Sequence, residues 1–199
     1  MAQRKLKAQN SKLKTSMKHF LWLSFLIIIF FFKTTTSFAE SSYVLPYPPP
    51  MPGSFLYKIR LVSEQIQKYW YFGNFGQFSY NLKQSDKYLA QAKTLFEYRQ
   101  YLLGHEALKK SDMYFKYSPK YLSYAKEENK NIDRQQKILK EAALKHIEVL
   151  EKIWKEIPET FFWQPEKLSP TMLNLKKLIE ESIVIRNTTS EESIRPPRR

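Results

Sequence analysis

The chain has 199 residues, no cysteine, only four glycines, 43% hydrophobic residues and a formal charge of +14. Without cysteine it can hold no disulfide, thiolate zinc site, thiol nucleophile or cysteine-linked lipid anchor. Scarce glycine beside many large aliphatic and aromatic side chains favours helices over a turn-rich β fold, and the length fits one domain.

Residues 1–39 read as a secretion signal. Six basic residues from Arg4 to Lys18 precede thirteen residues, 20–32, of which only Ser24 is polar. Ser37 and Ala39 then put small residues at −3 and −1 of a cut between Ala39 and Glu40. The alternative is an uncleaved anchor, but thirteen residues cover only about 20 Å of a ~30 Å hydrocarbon core. Beyond residue 39 the chain carries 26 basic against 19 acidic residues, a balance of +7. That excess suits anionic polymers or lipid head groups and falls short of a nucleic-acid signature. No nucleic-acid partner is expected.

Residues 40–53 hold five of the eleven prolines and form an expected stem, extended and barred from helix and central strand. It is read as packing Tyr43, Val44, Leu45 and Tyr47 against the helical bundle; a ligand for a proline-binding partner is the less favoured alternative. Ser54 is the expected N-cap of a first helix whose Leu56, Ile59, Val62, Ile66 and Tyr69 form one apolar stripe. Leu56 and Tyr57 are expected to be buried under the stem. Gly73, Asn74 and Gly76 mark the end of this helix.

A second helix is expected over 77–103, with Phe78, Leu82, Ser85, Leu89, Ala92, Phe96 and Leu103 at nearly heptad spacing and Gly104 as a left-handed cap. A third takes 106–117, and Ser118-Pro119 restarts a shorter one. Up to here, Leu45-Pro46, Pro52-Gly53, Leu56-Tyr57, Arg60 and Glu64, and then Leu82, Ser85, Lys87, Leu89, Gln91 and Ala92, carry a resemblance. The stretch resembles helical domains of unknown function that occur just outside the membrane in actinobacteria and candidate-phylum bacteria. Lys58 in place of proline, Arg60 for lysine, Ser85 for alanine and Gln91 for glutamate depart from that pattern without disturbing a helix. The resemblance implies an extracytoplasmic helical fold and brings no activity or site with it.

All thirteen tyrosines lie between Tyr43 and Tyr124. A fourth helix is expected over 132–157, with Glu141–Lys145, Glu148–Lys152 and Glu151–Lys155 as salt pairs on its solvated face. Residues 158–170 read as a loop in which Phe161-Phe162-Trp163 either plugs one end of the bundle or anchors a partner. Ser169-Pro170 caps a fifth helix with Met172, Leu175, Ile179 and Ile183 as its stripe, and 187–199 read as a disordered tail.

No chemistry announces itself. His105-Glu106 begins like a zinc-protease helix, but Lys109 stands where the second histidine belongs. His146 and Glu148 face different ways on their helix, so no metal site is expected, and no cofactor motif is present. Adjacent carboxylates such as Glu180-Glu181 cannot flank one substrate bond.

The reading is therefore all-α: a signal peptide (1–39), a Pro-rich stem (40–53), a bundle of about five helices (54–186) and a tail (187–199). The function expected is that of a secreted or envelope-located, non-enzymatic binding or assembly module, with an envelope protein or an anionic or glycan polymer as its partner. The first alternative is a module for glycans or anionic polymers, and a further one is a cell-wall-acting enzyme. The candidate binding surface is Tyr88, Tyr98, Lys87, Arg99 and Lys110, on the expectation that Tyr88 and Tyr98 sit at the edges of the second helix.

Overall fold

In a computed structural model the described residues are 43–53, 55–166 and 169–192. The expected signal segment with its expected Ala39–Glu40 cut, Ser54 and residues 193–199 lie outside them. Among these residues five helices and one small sheet occur in order: α1 (Phe55–Trp70), α2 (Gly73–Glu97), α3 (Tyr101–Glu127), α4 (Asp133–Glu156), β1 (Thr160–Trp163), β2 (Thr171–Asn174) and α5 (Leu175–Glu192). The chain is a helical bundle, as its periodicities imply.

The core sits among α2, α3, α4 and α5. The α2–α3 hairpin is the most extensive pairing; α4 lies against α5, α5 reaches back to α3, and α2 to α4. Phe78, Leu82, Ser85, Leu89, Ala92 and Phe96 are all buried, so up to Phe96 the heptad-like spacing marks the inner face of α2, whereas Leu103 lies on α3 and is exposed. Leu89, Phe96, Leu108, Leu150, Leu175 and Ile179 belong to one apolar cluster, and Phe78, Leu82, Phe115, Leu122, Leu139 and Ala142 to a second.

Between these two clusters in sequence register runs a buried polar layer. Ser85 and Ser111 exchange hydrogen bonds, Ser85 Oγ to the Ser111 carbonyl at 3.0 Å and Ser111 Oγ to the Ser85 carbonyl at 2.9 Å. Arg186 on α5 pairs with Asp112 on α3 and donates through Nη2 to Ser111 Oγ at 2.9 Å; Ser182 also donates to Asp112, at 2.8 Å. His146 on α4 stands 2.7 Å from Asp86 on α2, and Tyr43 of the stem donates to the other Asp86 oxygen at 2.5 Å. Each charge of this layer thus has a partner on another element, which is what makes its burial tolerable.

Several boundaries differ from the sequence reading. Helix α2 stops at Glu97, not at residue 103. Arg99 takes the left-handed position (φ 59°), with its N–H bonded to the Phe96 carbonyl and the Gln100 N–H to the Leu95 carbonyl, a Schellman ending. Gly104 is instead buried inside α3, where an added Cβ would meet the Phe96 ring at 2.8 Å. This glycine is there for close approach, not for a turn. Gly73 and Gly76 likewise open α2 after α1 has ended, and Gly76 abuts the Tyr71 backbone.

Helix α3 runs unbroken through Pro119, with no restart at Ser118. Proline removes the N–H that the Phe115 carbonyl would have received, and Ser118 Oγ donates one residue earlier, to the Tyr114 carbonyl, at 3.2 Å. The expected loop after α4 supplies β1, which pairs antiparallel with β2 in the stretch read as the start of the fifth helix, with Phe161 opposite Leu173 and Phe162 opposite Met172. Alternation then splits the aromatic triplet. Phe161 packs on the core and on Tyr101 (5.1 Å between ring centroids), while Phe162 and Met172 face outward. Helix α5 therefore starts at Leu175, with Asn174 Oδ1 accepting from the Lys177 N–H at 3.3 Å, rather than at Ser169-Pro170. It continues through Glu192, past the start of the expected tail. On α4, Glu148 takes both Lys145 (2.8 Å) and Lys152 (3.3 Å), and Lys137 reaches Glu141.

Candidate interaction surface

Helix α1 is amphipathic, and it is mounted with its polar side inward. At 100° per residue, Phe55, Leu56, Ile59, Val62, Ile66, Tyr69 and Trp70 fill one arc of about 140°. All seven are exposed, from 50% for Ile66 to 76% for Phe55. The expectation that Leu56 is buried under the stem is thus corrected: it is 61% exposed, and Tyr57 is half-buried. The stem instead sends Leu45 and Met51 to the first core cluster and Tyr43 to the second, leaving Val44 and Tyr47 exposed.

Opposite the arc stands Glu64, the sole carboxylate of α1 and 5% exposed. Lys87 Nζ lies 2.5 Å from its Oε1, with Arg60 Nε 3.2 Å away. Tyr88 donates to Oε2 at 2.9 Å, and Tyr80 donates to the Glu64 backbone carbonyl at 3.2 Å. Arg60 also donates to the buried Gln91 Oε1 at 3.0 Å. Behind these contacts the rings form a ladder. Tyr88 stacks on Tyr114 (5.8 Å, 6°), Tyr114 meets Tyr80 edge-on (6.2 Å, 84°), and Tyr80 meets Tyr71 at 5.5 Å. Burial first, and then the Glu64 charge, hold the Tyr88 hydroxyl well above the ordinary tyrosine range, so it stays a donor. Burial does the same for Tyr80 and Tyr114.

This arrangement explains why α1 faces the way it does. Helices α2 and α3 offer tyrosine hydroxyls, Gln91 and Lys87 at that spot, and an apolar helix face would leave those groups without partners at a cost of about 1–3 kcal/mol each. A carboxylate satisfies several of them at once. The outward arc is the consequence.

The residues proposed from the sequence separate into two groups. Tyr88, Lys87 and Lys110 come together, since Lys110 Nζ lies 5.5 Å from the Tyr88 ring centroid. Tyr88 is not an edge residue, however: it is 4% exposed and covered by Glu64. Tyr98 (72% exposed) and Arg99 sit apart from that cluster, in the α2–α3 turn. Sequence reasoning missed Glu64 as the organising group. Its one legible signal was Arg60 four residues earlier, a pair placed opposite the apolar arc.

Comparison with known proteins adds the family. Residues 50–160 match the model of a domain of unknown function, DUF5667. The chain belongs to that family. No curated protein and no solved structure matches it. The DUF5667 region takes in α1, the Glu64 contacts and the tyrosine ladder, whereas α5, which supplies Arg186 and Ser182 to the polar layer, falls beyond it.

Proposed function

We propose that this chain is an exported, non-enzymatic domain of the cell envelope that works by binding through the outward arc of α1. One observation carries the reading: seven large apolar side chains share one face of a helix whose polar face is fastened to the bundle. Exposed contiguous apolar surface of this kind marks interaction sites on folded proteins. Binding is favoured over catalysis because the polar groups best arranged for chemistry are spent on structure. His146 and Arg186 are fully buried, and Asp86 and Asp112 nearly so. The glycan-binding alternative would have to reach Tyr88 past Glu64.

The test compares two double variants of the full-length protein in cells. Ile59→Gln with Ile66→Gln should lower association with the envelope fraction about tenfold, the effect of losing ~1.4 kcal/mol of apolar contact. Lys145→Ala with Lys152→Ala, on the salt-paired face of α4, should leave it unchanged. Loss confined to the α4 pair would overturn the assignment. Export itself is read from the N-terminus of the cellular protein, with Glu40 the expected first residue.

A further inference from the structure

We infer that the occupant of the α1 arc is the head-group layer of an anionic lipid bilayer, with the apolar residues turned toward the acyl chains. The inference rests on the export reading above and names what α1 binds.

The helix has the form of one that lies on a membrane and cannot cross it. Among the described residues no helix is long and apolar enough to span a bilayer. Helix α1 has 16 residues, about 24 Å, and carries Arg60 and Glu64. An apolar arc over a polar reverse side, with Phe55 at one end and Tyr69 and Trp70 at the other, is the pattern of a helix held at the interface. The reverse side is already committed to the bundle through Glu64, so the arc cannot be turned inward without breaking those contacts.

Charge selects the lipid. Glu64 is turned away from solvent, and the exposed charges of α1 are Lys58 and Lys68, both positive. At 100° per residue Lys58 borders the apolar arc and Lys68 lies on the far side of the helix, so the rim of the outward face is cationic at Lys58, complementary to anionic head groups. A second copy of the chain is the competing occupant, and the test below separates it from the bilayer.

Chain length makes a weak surface contact sufficient. Ten residues, 33–42, separate the apolar run 20–32 from Tyr43, and they reach at most about 36 Å. Before the expected cut after Ala39, while that run is still in a bilayer, docking of α1 is an intramolecular step.

The test uses the full-length chain, which has no native cysteine. A single Ile66→Cys change carries an environment-sensitive fluorophore, and the protein is reconstituted in phosphatidylcholine vesicles with phosphatidylglycerol and nitroxide-bearing lipid. Quenching should be several-fold stronger at position 66 than for the same label at Leu144→Cys, an exposed site on α4. It should fall when phosphatidylglycerol is omitted. Equal quenching at both positions would overturn the proposal. So would concentration-dependent energy transfer between labels at position 66, which would assign the arc to a second copy. Circular dichroism checks each variant's fold, and Ile59→Cys replaces Ile66→Cys if the latter fails to fold. A cellular protein that is never exported would sink the export reading and leave the vesicle result standing, so the two failures are distinguishable.

Discussion

The Tyr88 hydroxyl, carried by α2, lies 2.9 Å from the Glu64 carboxylate of α1, and this contact joins the helix with the outward apolar arc to the rest of the bundle. Helix α1 is absent from the closely packed helix pairs, so side chains, not backbone proximity, hold it. Removing one member of a buried charge cluster leaves the others uncompensated, at about 3–5 kcal/mol. Glu64→Ala should therefore release α1 while α2–α5 stay folded. Hydrogen exchange would show α1 amides losing protection ahead of those in α3. Leu56→Ala, by contrast, removes an exposed side chain and should shift stability by less than about 0.5 kcal/mol. Equal protection of α1 in wild type and Glu64→Ala would refute the role given to Glu64.

A second prediction turns on two positions whose residue types are the reverse of the usual arrangement. Arg99 occupies a left-handed φ of 59° that glycine adopts freely, and Gly104 lies inside a helix, where alanine is ordinarily better by about 1 kcal/mol. Arg99→Gly should raise stability, by up to about 1 kcal/mol, because the strained conformation becomes ordinary. Gly104→Ala should lower it by about 1–2 kcal/mol, since the new methyl meets the buried Phe96 ring at 2.8 Å and overpacking outweighs helix propensity. Thermal melts of the two variants should move in opposite directions. A stabilised Gly104→Ala would mean that the ring swings aside at little cost.

The same pair shows what the sequence could and could not disclose. Spacing in α2 was legible because its inner face packs against other helices, and a face so enclosed must be regular: Phe78, Leu82, Ser85, Leu89, Ala92 and Phe96 are all inside. The stripe of α1 is just as regular, yet it points outward. Amphipathicity identifies two faces and is silent on which one the neighbours require; here buried hydroxyls on α2 required the polar one. Glycine was read as a turn signal at Gly104 because its other use, letting Phe96 approach, depends on a contact made only after folding. The polar layer was invisible for a related reason. Asp86 and His146 are 60 residues apart and Asp112 and Arg186 are 74 apart, so no local pattern links them.

That layer carries the last prediction, a pH dependence. His146 is fully buried between Asp86 and the Phe115 ring, 5.1 Å away centroid to centroid. Burial pushes its pKa below the ordinary histidine value of 6.5; the Asp86 hydrogen bond opposes this, the Arg186 charge adds to it, and the Asp86 and Asp112 charges oppose it again. The ring is thus neutral in the folded protein, with Nε2–H donating to Asp86, and Tyr43, whose pKa burial raises, remains a donor to the same carboxylate. Above about pH 6.5 the histidine is neutral whether the chain is folded or not, and it contributes no pH dependence. Below that value the unfolded chain takes up a proton that the folded chain refuses, so stability falls as the pH falls, by up to about 1.4 kcal/mol per unit, until the lower folded value is passed. The carboxylates of Glu128 and Glu148, held below 4.5 by Lys130 and Lys145 respectively, lose their own contribution only at lower pH. Denaturant unfolding between pH 7 and 5, a window set by these shifts, should therefore show a downward slope in the wild type. His146→Gln, which keeps an N–H donor near Asp86, should flatten it. An imidazole resonance of His146 that titrates near 6.5 in the folded protein would contradict the account, because a ring free to charge there would carry no such linkage.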